Sequence, residues 1–309
     1  IIDGIPILLI SDTDHTIDIA KASLNATASS TDPLYLESVG VSEEQRLAIR
    51  NLATGLTKVD PVIAYLVAAT SGHGYVGLVG SMTSYPIPNI PVGPGENKRL
   101  LDLGCSWGRW TVSAARKGWQ AVGIDPSLGA LLASRRAFGN EGLSIHHVCA
   151  DARFLPFKSN TFDQVFSYSV LQHFAEDNVS LVLDGIRSVL KCDGQSLIQM
   201  AHKGGLRARQ IVRRKDYLSA GTFRVRYWAL DQIQETFQRQ IGPTNIEAEA
   251  FGGLGLLIED FAYVSTPAKL LTLASETLKL MTRTVPGTIA LADSVYVSSI
   301  KRSLSDIDN

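Results

Sequence analysis

Short apolar runs alternate with stretches of helical spacing over residues 98–201, and this alternation constrains the fold more than any other feature of the chain. Five apolar runs predict strands, at residues 100–103, 121–124, 144–149, 162–169 and 196–201. Three stretches with helical spacing lie between them, at residues 107–117, 128–138 and 178–190. The pattern predicts an α/β fold, with a doubly wound, mostly parallel sheet and helices on both faces. Ligands of such sheets bind at the carboxyl ends of the strands.

The segments on either side are divided by their composition and turn signals. Residues 1–33 begin with a β-like apolar run and then become polar, which predicts a truncated N-terminal strand and a linker. Residues 34–97 contain two helix starts and a proline-rich loop, which predicts a helical N-terminal extension. Residues 98–309 are predicted to form the main domain, with a basic insertion at 203–228 and a helical cap at 252–290.

The cap contains a helical pattern over residues 267–281. Its apolar positions share one face of the predicted helix and are Leu270, Leu271, Ala274, Leu278 and Met281. This pattern predicts a helix packed against the domain rather than a membrane anchor.

Composition excludes several classes of protein. Hydrophobic residues make up 45% of the 309 residues and charged residues 19%, which excludes an intrinsically disordered chain. The formal net charge of −1 argues against an electrostatic field over the whole molecule that would attract nucleic acids or membranes. The three cysteines form no CxxC pair, so we expect no metal site in this chain and a reducing, cytoplasmic location. We also expect no membrane span and no signal peptide, since the apolar run at the start is short and lacks a basic leader.

Candidate ligand-binding residues follow three successive predicted strands. The glycine loop, residues 104–108, connects the first strand to a helix, a geometry that presents backbone N–H groups to an anionic ligand. Asp125 lies 21 residues after Gly104 and ends the second strand, where a carboxylate can accept bonds from both hydroxyls of a ribose. Asp151 ends the third strand and could accept a bond from an adenine amino group. The alternative is that both acids only cap the helices that follow them.

These motifs and two that follow them resemble the class I S-adenosylmethionine-dependent methyltransferases, specifically their small-molecule, ubiquinone-biosynthesis-like branch. The matching stretches are residues 101–109, 123–127, 150–157, 161–165 and 170–173. The resemblance implies a Rossmann-like sheet of seven strands, an enzyme that transfers methyl groups, and S-adenosylmethionine as its cofactor. Residues 1–9 are also similar to the end of a small zinc-ribbon module that is often fused before such methyltransferases.

The resemblance also implies a set of cofactor contacts. Asp102 and the glycine loop would hold the methionine part, Asp125 the ribose, and Asp151 with the Ala152 backbone the adenine. The expected residues are Asp102, Gly104, Ser106, Trp107, Gly108, Asp125, Pro126, Asp151, Ala152 and Ser167. Ser106 stands where the family commonly has a second glycine, and Trp107 is bulkier than usual. Core packing is the alternative role for Trp107 and for Trp110.

Acceptor-side candidates are fewer. His173 is a candidate general base because an imidazole can accept a hydroxyl proton near neutral pH; alternatively it only bonds a neighbouring backbone group or lines the site. Residues 203–226 carry eight basic residues and one acid, which predicts an anionic acceptor bound by Arg224 and Arg226, unless the run is a solvated helical face. Tyr85, in the proline-rich loop, is a further candidate substrate contact, although the loop could also be a plain linker.

The sequence thus predicts methyl transfer to a small, anionic or glycan or natural-product acceptor, by O-methylation. Two alternatives remain open: a non-catalytic S-adenosylmethionine-binding scaffold, and an NAD-dependent oxidoreductase. The oxidoreductase is disfavoured because it would carry GxGxxG, which residues 104–108 lack. Nucleic acid is a disfavoured partner because the sequence contains no recognisable RNA-binding module.

Overall fold

The computed structural model describes residues 1–11, 18–26, 30–54, 58–70, 79–213, 225–252 and 256–302. The α-helices are α1 Ile19–Asn25, α2 Glu43–Ala53, α3 Pro61–Thr70, α4 Arg109–Arg116, α5 Leu128–Phe138, α6 Glu176–Val189, α7 Ala208–Val212, α8 Leu230–Gln240 and α9 Thr266–Thr282. The strands are β1 Arg99–Leu103, β2 Gln120–Asp125, β3 Ile145–Cys149, β4 Phe162–Ser167, β5 Leu190–Ala201, β6 Thr244–Ala250 and β7 Ser294–Ile300.

The strands form one seven-stranded sheet in the order β3-β2-β1-β4-β5-β7-β6. β2 pairs with β3 in parallel, and β4 pairs in parallel with both β1 and β5. β7 runs antiparallel to both of its neighbours, β5 and β6. The prediction of a doubly wound, mostly parallel sheet is confirmed.

Contacts divide the chain into two units that alternate along the sequence, and the domain boundaries at residues 33 and 97 stay predictions. The first unit contains residues 1–97, 104–151 and 256–266. The second contains residues 98–103, 152–255 and 267–309. The first therefore holds the glycine loop, β2, β3 and helices α1 to α5, and the second holds the other five strands.

The N-terminal segment of the first unit lies beside β3. The Cys149 N–H donates to the Pro6 carbonyl at 2.9 Å, and the Leu8 N–H donates to the Cys149 carbonyl at 2.8 Å. This pairing is an isolated bridge, shorter than the strand predicted for the segment. Ile5 is buried in the same hydrophobic cluster as Leu131 of α5. The apolar run therefore extends the core beyond the edge of β3.

Side-chain caps and anchors fix the helices and the proline-rich loop of this unit. Ser42 and Gln45 form a capping box at the start of α2, one of the two helix starts predicted within residues 34–97. After α4, the Lys117 ammonium donates to the Ile90 and Val92 carbonyls at 2.5 and 3.0 Å. The Trp119 indole donates to the Gly93 carbonyl at 2.9 Å. The end of the proline-rich loop is thus tied to the residues that follow α4.

The core of the second unit lies between its strands and α6. The apolar face predicted for α6 is buried, with Val179, Val182 and Ile186 fully inaccessible to solvent. β4 and β5 contribute Phe166 and Ile198, which are equally buried. Helical spacing therefore predicted the inward face of α6 correctly.

The predicted packing of the apolar face of α9 is wrong. Leu270 is 63% exposed and Leu271 55% exposed, whereas Thr272 is only 2% exposed. Ser275 is also buried and accepts the Phe251 N–H at 2.9 Å, and the Thr272 hydroxyl donates to the Ala268 carbonyl within the helix. Two short side chains with satisfied hydroxyl groups therefore face inward, so the leucines face outward. None of the helices in the described residues is long and apolar enough to span a bilayer.

Candidate functional site

The glycine loop adopts an alternating left-handed conformation. Gly104, Ser106 and Gly108 have φ angles of 75°, 49° and 80°. Two of the three positions carry glycine, which adopts this region without strain. Ser106 does so at a cost of about 1–2 kcal/mol. Successive N–H groups in such a loop form an anion-binding concavity.

Three hydrogen bonds attach the loop to the end of β2. The N–H groups of Gly104 and Cys105 both donate to the Ile124 carbonyl at 2.9 Å. The Ser106 N–H donates to Asp125 Oδ2, also at 2.9 Å. This last bond stabilises the left-handed Ser106 and joins two of the elements predicted to hold one ligand.

The Asp125 carboxylate is oriented by main-chain donors on both oxygens. The Ser127 N–H donates to Oδ1 at 2.9 Å, opposite the Ser106 bond to Oδ2. Burial raises the pKa of Asp125 to about 6, although the N–H groups of Ser127 and Ser106 oppose the rise. Each carboxylate oxygen can accept two hydrogen bonds, so both retain capacity for a ribose hydroxyl. The N-cap of α5 is Ser127 rather than Asp125, which argues against the capping alternative for this acid.

The other predicted cofactor residues of the first unit lie close to β2. Asp151 follows β3 and is 6% exposed. The neighbouring Ala150 N–H donates to the Asp125 carbonyl at 3.2 Å, which holds the ends of β2 and β3 together. The Pro126 carbonyl accepts the Ser23 hydroxyl at 2.6 Å. Gly108 packs against α5, where a Cβ atom would come within 2.5 Å of Ser134 Oγ.

Aromatic side chains pack behind the loop. Trp107 and Trp110 are buried, 1% and 5% exposed, as expected for core packing. The Trp107 ring stacks near Phe138 of α5, and the Tyr85 ring lies edge-on to Phe138 with centroids 4.8 Å apart. The Tyr85 hydroxyl accepts the Asp60 N–H at 2.8 Å. Tyr85 therefore has a defined packing role, and its predicted substrate contact stays a prediction.

Three more predicted cofactor residues belong to the second unit. Asp102 in β1 is 1% exposed. Ser167 ends β4, and its hydroxyl donates to the Leu103 carbonyl at 2.9 Å. Ala152 is buried. The hydroxyl hydrogen of Ser167 is thus used inside the sheet, which leaves its oxygen lone pairs for a ligand.

His173 lies in a 3₁₀ turn, Leu171–His173, which is held by Arg226. The Arg226 N–H donates to the Gln172 carbonyl at 2.7 Å, and its guanidinium donates to the His173 carbonyl. The Gln172 amide nitrogen lies 3.5 Å from His173 Nε2. Arg226 therefore positions the turn through its main chain, whereas Arg224, its predicted companion, lies outside the described residues.

Sequence reasoning missed a buried acid, Glu249 of β6, whose carboxyl group bonds the hydroxyls of Tyr168 and Ser294. The one available signal was an acidic residue among alanines, Ala248 to Ala250. Within the described ranges, no group of three His, Cys, Asp or Glu side chains is arranged to hold a metal ion.

Comparison with known proteins places this geometry in context. Residues 100–194 match a family model described as a methyltransferase domain. The match runs from β1 into β5 and includes the glycine loop, Asp125 and Asp151. It supports S-adenosylmethionine as the cofactor and a methyltransferase as the class of enzyme.

Individual relatives are distant. The chain is 28% identical over 155 residues to the biotin biosynthesis bifunctional protein BioHC of Cellvibrio japonicus, covering 50% of this chain and 30% of that protein. It is 32% identical over 96 residues to a ubiquinone biosynthesis O-methyltransferase of Nitrobacter winogradskyi, covering 31% of this chain and 36% of that protein. The chain thus spans about a third of the length of these two curated relatives.

A solved structure shares the fold. Phosphoethanolamine N-methyltransferase 2 of Haemonchus contortus, in complex with S-adenosyl-L-methionine, superposes with a TM-score of 0.50 at 21% identity. The superposition covers 85% of this chain and 61% of that protein. It supports the α/β architecture, and at this identity it says nothing about the acceptor.

Proposed function

We propose that this chain is an S-adenosylmethionine-dependent methyltransferase that methylates a small, anionic or glycan or natural-product acceptor on oxygen. One observation carries the proposal: the Ser106 N–H donates to Asp125, so the glycine loop and the ribose-binding candidate form one hydrogen-bonded unit. The residues around it fit an adenosine with an amino acid chain, because the Asp125 carboxylate can accept the ribose hydroxyls and the glycine loop presents main-chain donors.

The roles of the individual residues follow from their chemistry. Asp125 would accept the two ribose hydroxyls, and Asp151 with Ala152 would hold the adenine. The glycine loop and Asp102 would hold the methionine part. When bound, S-adenosylmethionine supplies a methyl group on a positively charged sulfur. The protein then needs to hold the acceptor in line with that group and exclude water, and such positioning supplies much of the acceleration.

The proposal of an anionic acceptor rests on charge. Lys203, Arg207, Arg209 and Arg213 lie in the described part of the basic run, within or beside α7. Cationic side chains bind carboxylate and phosphate groups with charge-assisted hydrogen bonds. O-methylation is supported by the resemblance to the ubiquinone-biosynthesis-like branch and by the similarity to a ubiquinone biosynthesis O-methyltransferase.

Calorimetry and labelled methyl transfer separate this proposal from its alternatives. We expect the protein to bind S-adenosylmethionine and not NAD, since the loop lacks GxGxxG. We expect labelled methyl groups to enter the small-molecule extract of the cells that make the protein. Binding without transfer would favour the scaffold, and preference for NAD would favour the oxidoreductase.

A further inference from the structure

A buried carboxyl group lies at the carboxyl edge of the sheet in the second unit. Tyr168 follows the last residue of β4, and Glu249 is the penultimate residue of β6. β6 runs in the same direction as β5, because both are antiparallel to β7. Tyr168, Glu249 and Ser294 therefore lie at the edge where ligands of open α/β sheets bind.

A β-bulge lies at Glu249. Ala248 pairs with Val295 and Ala250 pairs with Ser294, so β6 advances two residues where β7 advances one. The regular pairing that precedes the bulge already brings Glu249 to the position opposite Ser294. Ala248, Glu249 and Ala250 are all buried. Bulges are frequent next to active sites.

Both oxygens of the Glu249 carboxyl group bond hydroxyl groups. The Tyr168 hydroxyl donates to Oε1 at 2.9 Å, and the Ser294 hydroxyl donates to Oε2. Burial raises the pKa of Glu249 above the usual carboxyl value, and the two hydroxyl donors oppose this rise. Lys279 and Glu276 of α9 act on it in opposite directions and are themselves paired at 2.9 Å.

Tyr168 connects this buried acid to the outside of the unit. Its side chain is half-buried, whereas Glu249 is 3% exposed. The following residue, Ser169, is tied to β5 through its N–H, which donates to Gln199 Oε1 at 2.9 Å. The Tyr168 phenol is thus held by the Glu249 carboxyl group, and the backbone that follows Tyr168 is held by β5.

We propose that Tyr168 is a catalytic residue that accepts the proton of the acceptor hydroxyl while its own hydroxyl proton passes to Glu249. This inference rests on the proposed O-methylation. As the acceptor oxygen forms its bond to the methyl carbon, the carbon–sulfur bond breaks and its electron pair stays on sulfur. The acceptor proton moves to Tyr168 Oη, the phenol proton moves to Glu249 Oε1, and charge is conserved. Glu249 acts through Tyr168 and is a positioning and proton-accepting residue.

The decisive variants are Glu249→Gln and Tyr168→Phe. Glutamine keeps the shape of Glu249 and can still accept the Tyr168 bond, but it takes up no proton. The matched control is Glu247→Gln, the same substitution on the same strand at an exposed position. All three variants should unfold cooperatively, with some loss of stability in Tyr168→Phe because it removes a donor to the buried carboxyl group. All three should bind S-adenosylmethionine in calorimetry as the wild type does, which separates a loss of the relay from a loss of fold or cofactor.

Turnover is measured as transfer of labelled methyl groups from S-adenosylmethionine into the small-molecule cell extract. We expect kcat to fall about 100-fold or more in Glu249→Gln and in Tyr168→Phe. The double variant should fall no further than either single one, because both residues serve one transfer. With S-adenosylmethionine kept saturating at each pH, the wild-type kcat should decline toward acid pH as Glu249 protonates, and this decline should vanish in Glu249→Gln. Unchanged kcat and an unchanged pH profile would overturn the proposal.

An infrared titration decides the relay without any acceptor. We expect the wild-type protein to show a Glu249 carboxyl band that titrates above the usual carboxyl range, beside the band of Asp125, which the variant Asp125→Asn identifies. The Glu249 band should be absent in Glu249→Gln, displaced in Tyr168→Phe and retained in Glu247→Gln. If Glu249 stays ionised through that range and its signal is unchanged in Tyr168→Phe, then Glu249 only stabilises the fold and the proposed relay is wrong. Failure of S-adenosylmethionine to bind would instead remove the proposed function, and the two failures are distinguishable.

Discussion

The glycine loop with Asp125 and the Tyr168–Glu249 pair are built in opposite ways. In the first unit, main-chain N–H groups hold the Asp125 carboxylate, so any sequence with the same backbone would orient it. In the second, the side-chain hydroxyls of Tyr168 and Ser294 hold the Glu249 carboxyl group beside a bulge in β6. Main-chain sites depend on local backbone conformation, whereas side-chain sites depend on which residues the sheet register brings together.

The largest effect should come from removing the Asp125 carboxylate. Asp125→Ala deletes the predicted acceptor of both ribose hydroxyls, and each charged hydrogen bond contributes about 1.5–3 kcal/mol. We expect affinity for S-adenosylmethionine, measured by calorimetry, to fall at least about 100-fold. Glu44→Ala, an exposed acid in α2, serves as the control. Equal affinities of the two variants for S-adenosylmethionine would contradict the proposal that Asp125 binds the ribose.

The next largest effect should follow from a methyl group at Gly108. Gly108→Ala places a Cβ atom 2.5 Å from Ser134 Oγ at a φ angle of 80°. We expect the free energy of unfolding, measured with denaturant, to fall by about 2–3 kcal/mol. Gly142→Ala is a matched control, because it has a φ angle of 70° but nothing within 4 Å of the added atom. If both variants lose the same free energy of unfolding, the requirement for glycine at position 108 comes from backbone strain rather than from close packing.

Acid pH should weaken cofactor binding through Asp125. Its pKa is raised to about 6 in the protein without ligand, and ribose hydroxyls would stabilise the charged form. Below pH 6 a proton therefore competes with the ligand, and the Kd for S-adenosylmethionine should rise about tenfold per pH unit. Calorimetry between pH 7 and pH 5 tests this. The dependence should disappear in Asp125→Asn, and its persistence there would assign it to another group.

The smallest effect separates the two faces of α9. Ser275→Ala leaves the buried Phe251 N–H without its acceptor and should cost about 1–2 kcal/mol of unfolding free energy. Leu270→Ser, on the exposed face, should change it by less than about 0.5 kcal/mol. If Leu270→Ser instead lowers the free energy of unfolding more than Ser275→Ala does, the apolar face of α9 is the packed one.

Sequence patterns predicted those helices whose ends are set by residues close by in the chain. Residues 128–138 form α5 as predicted, because Ser127 caps its start. Helix α4 begins at Arg109 rather than at residue 107, since the left-handed Ser106 and Gly108 keep the preceding residues in the loop. The same local rules predicted the glycine loop and Asp125.

Features that depend on distant contacts were not predictable. The apolar pattern of α9 identified a face but not the side on which the rest of the unit lies. Glu249 gave no periodic signal, because its inward direction results from the register between β6 and β7. Strand pairing of this kind is set by residues far apart in the chain.

The two-residue period of β6 makes the length of that strand informative among related chains. Deleting one residue of β6 ahead of Glu249 would shift the later side chains by one position, and the acidic side chain would turn toward the opposite face. A single-residue gap at this position in an alignment should therefore coincide with loss of the tyrosine that follows β4. Such covariation between a gap and a residue about eighty positions away would show that Tyr168 and Glu249 are inherited together.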